Sequence, residues 1–105
     1  MPYSITIKEL AEQLAANARI ELLDVRRKAD FEQSPPKIKG ARWHDPETIA
    51  EWMGMVPKHR PVIVYCVKGG SVSQSVTETL AGQDCRVQYL EGGLKAWREA
   101  GGAVE

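Results

Sequence analysis

The sequence predicts an α/β protein, an open parallel sheet with helices on both faces, and three observations predict it. Short runs at 20–25, 61–65 and 86–90 read as strands, and the first, almost continuously apolar, suits a strand buried on both faces. Segments with helical apolar spacing alternate with them in the order β-α-β-α-β-α, joined by short links. The chain has 105 residues and 43% apolar content, enough for one core and too little for two, so residues 1–105 are expected to form one domain.

Each element has its own warrant. Thr6-Ile7-Lys8-Glu9 has the pattern of a capping box, and Leu10, Ala11, Leu14 and Ala15 share a face, which predicts a helix over 6–17. Ile20 to Val25 is the first predicted strand. It runs into a segment where Arg26, Arg27, Lys28, Lys37, Lys39 and Arg42 face only Asp30 and Glu32, and Pro35-Pro36 places most of it in a loop. Gly40-Ala41-Arg42-Trp43 reads as a short edge strand. Asp45-Pro46 then supplies an N-cap and a first helical residue, with Ile49, Trp52 and Met53 facing inward. Pro61 to Tyr65 is a strand that ends directly at Cys66. Beyond Gly69-Gly70, Ser71 to Leu80 carries Val72, Val76 and Leu80 on one stripe, with Gly82 as its stop. Arg86 to Leu90 is the next strand, and Gly92-Gly93 turns the chain into a last helix holding Leu94 and Trp97.

Composition excludes several functions. The 14 basic and 14 acidic residues cancel, and they balance within each half of the chain, so neither nucleic acid nor a membrane is an expected partner. The longest apolar run, Pro61 to Val67, is far short of the ~20 residues of a membrane span. Met1-Pro2-Tyr3-Ser4 lacks the basic start and apolar stretch of a signal peptide, which makes the cytoplasm the expected location. Cys66 and Cys85 form no C-x-x-C, and His44 and His59 lack metal spacing; no disulfide, metal or cofactor is expected.

In open α/β sheets ligands bind beyond the carboxyl ends of the strands, which is where Cys66 stands. The segment Val67-Lys68-Gly69-Gly70-Ser71-Val72 joins that strand to a helix, so loop amides and the helix N-terminus are expected to converge on the sulfur. Such a nest favours a sulfur anion over a neutral thiol. Lys68 would attract an anionic substrate, and Gly69 and Gly70 would let the backbone curl without a Cβ clash. A cysteine that merely packs needs no ring of amides, and Cys85, which has none, reads as structural. Asp24 is expected to organise loop amides, Arg26 and Arg42 to lie near the same sheet edge, and Glu32 to brace Arg26.

The chain resembles the single-domain rhodanese sulfurtransferases over nearly its whole length. Leu22-Leu23-Asp24-Val25-Arg26 is similar to that family's first-strand motif, and Asp30-Phe31-Glu32 to the stretch that follows it. Ile38 to Ala41 falls where the family has an Ile-Pro-Gly-Ala turn, here with Lys39 in place of the proline. Cys66 to Ser71 is similar to the active-site loop, with Ser71 where many members carry Arg, and Glu91 to Trp97 with Ala100-Gly101 to the terminal motif. The resemblance implies a parallel five-stranded α/β fold and a Cys66 that cycles between thiolate and persulfide. It implies a thiosulfate sulfurtransferase that takes sulfane sulfur from a small anionic donor and gives it to cyanide or a thiol.

Two other functions would place a cysteine at such an edge. A cysteine-dependent phosphatase or arsenate reductase needs Cys-x5-Arg, with a guanidinium clamping the phosphoryl oxygens, and the sixth residue after Cys66 is Val72. A persulfide carrier in a sulfur-relay pathway, receiving sulfur from one protein and passing it to another, would use the same Cys66.

Overall fold

The computed structural model describes residues 3–105; Met1 and Pro2, which entered the reading of the amino terminus, lie outside the described residues. Strands β1 (Ser4–Ile5), β2 (Glu21–Asp24), β3 (Arg42–Trp43), β4 (Val62–Tyr65) and β5 (Val87–Leu90) form one sheet in the order β1-β5-β4-β2-β3. All its pairings are parallel. The helices are α1 (Ile7–Ala15), α2 (Lys28–Gln33), α3 (Ile49–Trp52), α4 (Ser71–Ala81) and α5 (Gly93–Glu99). None is long and apolar enough to cross a membrane.

Strand alternation divides the core in two. On β4, Ile63 and Tyr65 join Leu10 of α1 and Leu94 and Trp97 of α5, while Val62 and Val64 join Trp52 of α3 and Val76 and Leu80 of α4. The predicted capping box opens α1: the Glu9 amide donates to Thr6 Oγ1 at 3.1 Å and the Thr6 amide to Glu9 Oε1 at 2.9 Å. The bonds from Thr6, backbone first, hold the Glu9 carboxyl below its ordinary range. The buried face of α1 is narrower than expected, because Leu10 is buried with Ile7 and Leu14 beside it, whereas Ala11 and Ala15 are exposed.

Three elements depart from expectation. Strand β1 pairs Ser4 and Ile5 with Tyr89 and Leu90, and two residues are too few to show a period. Helix α2 lies in the predicted loop; it buries no residue outright, so it has no apolar stripe to announce it. The segment after Asp45 breaks into a 3₁₀ turn (Pro46–Thr48), α3 and a second 3₁₀ turn (Met53–Met55). Its start is the expected one, with Asp45 Oδ1 accepting the Glu47 amide at 2.9 Å. His44, read as a surface residue, is half-buried and stacked on Trp52 with ring centroids 4.7 Å apart.

Candidate active site

Cys66 follows directly on β4 and is 6% exposed. Because side chains alternate, Tyr65 faces α1 and α5 while Cys66 faces α4, and Sγ lies 3.2 Å from Ser73 Oγ. The loop that follows is held from behind by the amino end of α5. The Leu94 amide donates to the Cys66 carbonyl and the Lys95 amide to the Val67 carbonyl, both at 2.9 Å. In a planar trans peptide the N–H opposes its C=O, so the amides of Val67 and Lys68 point away from α5. Among the described residues, no backbone N–H from Val67 to Ser73 donates to a protein acceptor; the first bond of α4 runs from the Gln74 amide to the Gly70 carbonyl at 3.2 Å. Of these seven residues, Val67, Lys68, Gly70, Ser71 and Val72 line the cavity at Cys66, where their amides are available to an anion.

Glycine is required at two points of this arrangement. Gly69 has φ +74° and Gly93 has φ +61°. A Cβ on Gly93 would stand 2.5 Å from the Cys66 carbonyl oxygen, and one on Gly69 would stand 2.7 Å from the Gly92 nitrogen. The Cys66 loop and the Gly92-Gly93 turn thus pack backbone against backbone. Gly70 is different from the expectation for it: its φ is −90° and a Cβ there would meet nothing within 4 Å.

An open cavity of about 290 Å³ lies over the sulfur, lined by Arg26, Arg27, Asp30, Cys66, Val67, Lys68, Gly70, Ser71 and Val72. Lys68 and Arg27 are its exposed cations and Asp30 its exposed anion. Of the residues predicted for the site, Gly69, Asp24 and Arg42 do not line it. Gly69 lies beneath the loop against the α5 turn. Arg42 is exposed on β3, the edge strand beyond β2.

Asp24 and Arg26 form a buried ion pair beside this cavity, which Arg26 also lines. Leu22, Asp24 and Arg26 share the sheet face of Tyr65, and both charged side chains are buried, at 0% and 1% exposure. Asp24 accepts Arg26 Nε at 2.9 and 3.0 Å, Nη2 at 2.7 Å, the Arg26 amide at 3.0 Å and the Tyr65 hydroxyl at 3.1 Å. The guanidinium continues to the carbonyls of Ser34 at 2.8 Å and Pro36 at 3.3 Å, tying the segment after α2 to the sheet. Arg26 is thus braced by Asp24, not by Glu32. Burial first, and then the Asp24 charge, push the Tyr65 phenol far above its ordinary range, so it stays a hydroxyl and also accepts the Ile38 amide at 3.0 Å.

Sequence reasoning did not select Arg27, Asp30 or Ser73 for the site. Arg27 stands in the basic run after β2, and its outward direction follows once Arg26 turns inward. Ser73 is the third residue of a helix whose first turn abuts Cys66, but helical spacing alone does not separate it from Ser71 or Ser75. Cys85 is buried at the start of β5, away from this edge; burial chiefly, and Asp84 less so, raise its thiol above the ordinary range.

The sequence profile of the rhodanese-like domain family matches residues 6–100. The chain is 30% identical over 97 residues to the thiosulfate sulfurtransferase GlpE of Shewanella oneidensis, covering 91% of this chain and 92% of that one. It is also 30% identical over 101 residues to a sulfurtransferase of Allochromatium vinosum, covering 96% and 92%. A rhodanese-related protein from Thermoplasma volcanium superposes with a TM-score of 0.83 over 97% of this chain and 96% of that one; at 24% identity it shows the fold. The chain therefore belongs to the rhodanese-like domain family.

Proposed function

We propose that the protein is a thiosulfate-type sulfurtransferase working through a Cys66 persulfide. In the first step the Cys66 thiolate attacks the outer sulfur of thiosulfate, the S–S bond of the donor breaks, and its electron pair leaves with sulfite. A cyanide or thiolate acceptor then attacks the outer sulfur of the persulfide, and the electron pair returns to Cys66. Donor, persulfide intermediate and attacking thiolate are all anionic, so one set of donors serves every stage. The observation that carries this reading is the run of amides from Val67 to Ser73 that, among the described residues, has no protein acceptor and follows directly on Cys66 at the carboxyl edge of the sheet. Lys68 and Arg27 on the cavity rim supply the charge that draws in an anionic donor. The names of the two relatives support the same chemistry.

Intact mass after incubation with thiosulfate tests it: a gain of about 32 Da is expected, carried by Cys66 and removable by cyanide. Cys66→Ala should abolish the adduct and Cys85→Ala should leave it. An adduct that survives Cys66→Ala overturns the reading.

A further inference from the structure

We propose that Ser73 is a positioning residue for Cys66, a buried hydroxyl that turns its proton between the Gly70 carbonyl and the cysteine sulfur as the sulfur changes charge. The proposal rests on the sulfur-transfer reading only for the use to which the thiolate is put. Ser73 is fully buried on the face of α4 that meets β4, and its Oγ lies 3.2 Å from Cys66 Sγ and 3.3 Å from the Gly70 oxygen. A hydroxyl has one proton to give and two lone pairs to receive with. While Cys66 is a thiol, S–H donates to Oγ and O–H donates to Gly70, and every group in the chain is paired.

When the thiol proton leaves to solvent, the sulfur becomes an acceptor only. The Ser73 hydroxyl can then turn toward it. The Gly70 carbonyl is not stranded by that rotation, because the Gln74 amide still donates to it at 3.2 Å. The hydroxyl thereby exchanges its neutral bond to Gly70 for a charge-assisted one to the sulfur, roughly twice as strong; the weak S–H donation has gone with the proton, and no buried polar group is orphaned. The same donor acts in the second half of the reaction, since Cys66 is the leaving thiolate when the acceptor takes the outer sulfur, and a stabilised thiolate leaves faster. Ser73 thus adds a side-chain donor to the amide nest, from inside the helix, where solvent does not compete.

The charged groups that line the site are Arg26, Arg27, Asp30 and Lys68; the first turn of α4 carries no acidic residue, and Lys95 at the start of α5 pairs with Glu99. Replacing Ser73 touches none of them. The experiment is the pH dependence of iodoacetamide alkylation, read by mass at the Cys66 peptide, in the wild-type protein, Ser73→Ala and Thr77→Val. No sulfur donor is present, so failure here is distinguishable from failure of the sulfur-transfer reading. Ser73→Ala should move the alkylation midpoint up by about one pH unit, a roughly tenfold slower reaction at pH values below both midpoints. Thr77→Val should leave it in place, although it also removes a buried hydroxyl one turn along, which donates to the Ser73 carbonyl at 2.8 Å. An unmoved midpoint in Ser73→Ala, or an equal shift in Thr77→Val, overturns the proposal. If Ser73→Ala does not fold, the S–H Raman band of the wild-type protein, taken as the difference from Cys66→Ala, decides. A band lowered relative to the urea-unfolded protein supports the hydrogen bond, and a coincident band refutes it.

Discussion

Replacing Asp24 by Asn should destabilise the protein more than removal of any surface charge, and the structure gives the scale. Asp24 at 0% exposure answers Arg26 at 1% through three guanidinium contacts of 2.7–3.0 Å, and Arg26 has no second carboxylate among its hydrogen-bond partners. Asparagine keeps the shape but leaves a buried guanidinium without a counter-charge, a change that costs about 3–5 kcal/mol. With a urea m-value of about 1.5 kcal/mol/M for a domain of this size, 3 kcal/mol lowers the unfolding midpoint by about 2 M. The double variant Asp24→Asn/Arg26→Met separates the charge from the rest of the network. It should recover part of the loss, because no ion is stranded, but not all of it, because the Ser34 and Pro36 carbonyls lose their donor. Urea unfolding of the two single variants and the double measures the coupling. A cost below about 1 kcal/mol for Asp24→Asn would refute the reasoning, since it would mean the guanidinium reaches water as an ordinary surface arginine does. The folded fraction of Asp24→Asn should still take up sulfur at Cys66, for neither member of the pair is asked to touch the donor.

Gly93→Ala should cost at least about 2 kcal/mol and depress sulfur loading, because a positive φ is combined with a Cβ 2.5 Å from the Cys66 carbonyl oxygen; Gly70→Ala should stay within about 0.5 kcal/mol by thermal melting. Lys68→Ala and Arg27→Ala should each raise the thiosulfate concentration for half-maximal loading by roughly 3–10-fold and weaken its salt dependence, with little change in stability; an unchanged dependence removes that residue from donor capture. His44 is held below its ordinary range by burial first and by Arg42 second, against an opposing effect of Glu21. Its protonation is therefore harder in the folded state, so stability should fall as pH drops below about 6.5 toward the lowered value. His44→Gln should flatten that acid-side slope in urea titrations between pH 7 and pH 5, and an unaltered slope would rule His44 out as its source.

Much of this site was legible because the chemistry and the sheet geometry make the same demand of the same residues. A strand entered by Pro61 that runs without interruption to Cys66, followed at once by Gly69-Gly70 and a helical stripe, can hardly be anything but a strand-to-helix turn at the carboxyl edge. What the sequence did not yield was direction. Arg26 and Arg27 are adjacent and chemically identical, yet one is buried on Asp24 and the other stands on the cavity rim. The two-residue period alone does not separate them, because Leu22 and Asp24 lead to Arg26 on one covered face while Leu23 and Val25 lead to Arg27 on the other; what separates them is the buried Asp24 carboxylate on the row of Arg26. The same parity sends Tyr65 to Asp24 and Cys66 to Ser73, so a one-residue shift of β4 would exchange the structural hydroxyl for the sulfur. Val62, Ile63 and Val64 are apolar on both faces and suit either register, so the register is set where the side chains differ, at Tyr65, whose hydroxyl reaches Asp24. The bond from Tyr65 to Asp24 is therefore also what aims the Cys66 sulfur at Ser73, and a substitution that slipped the strand should abolish the proposed sulfur loading without touching the loop.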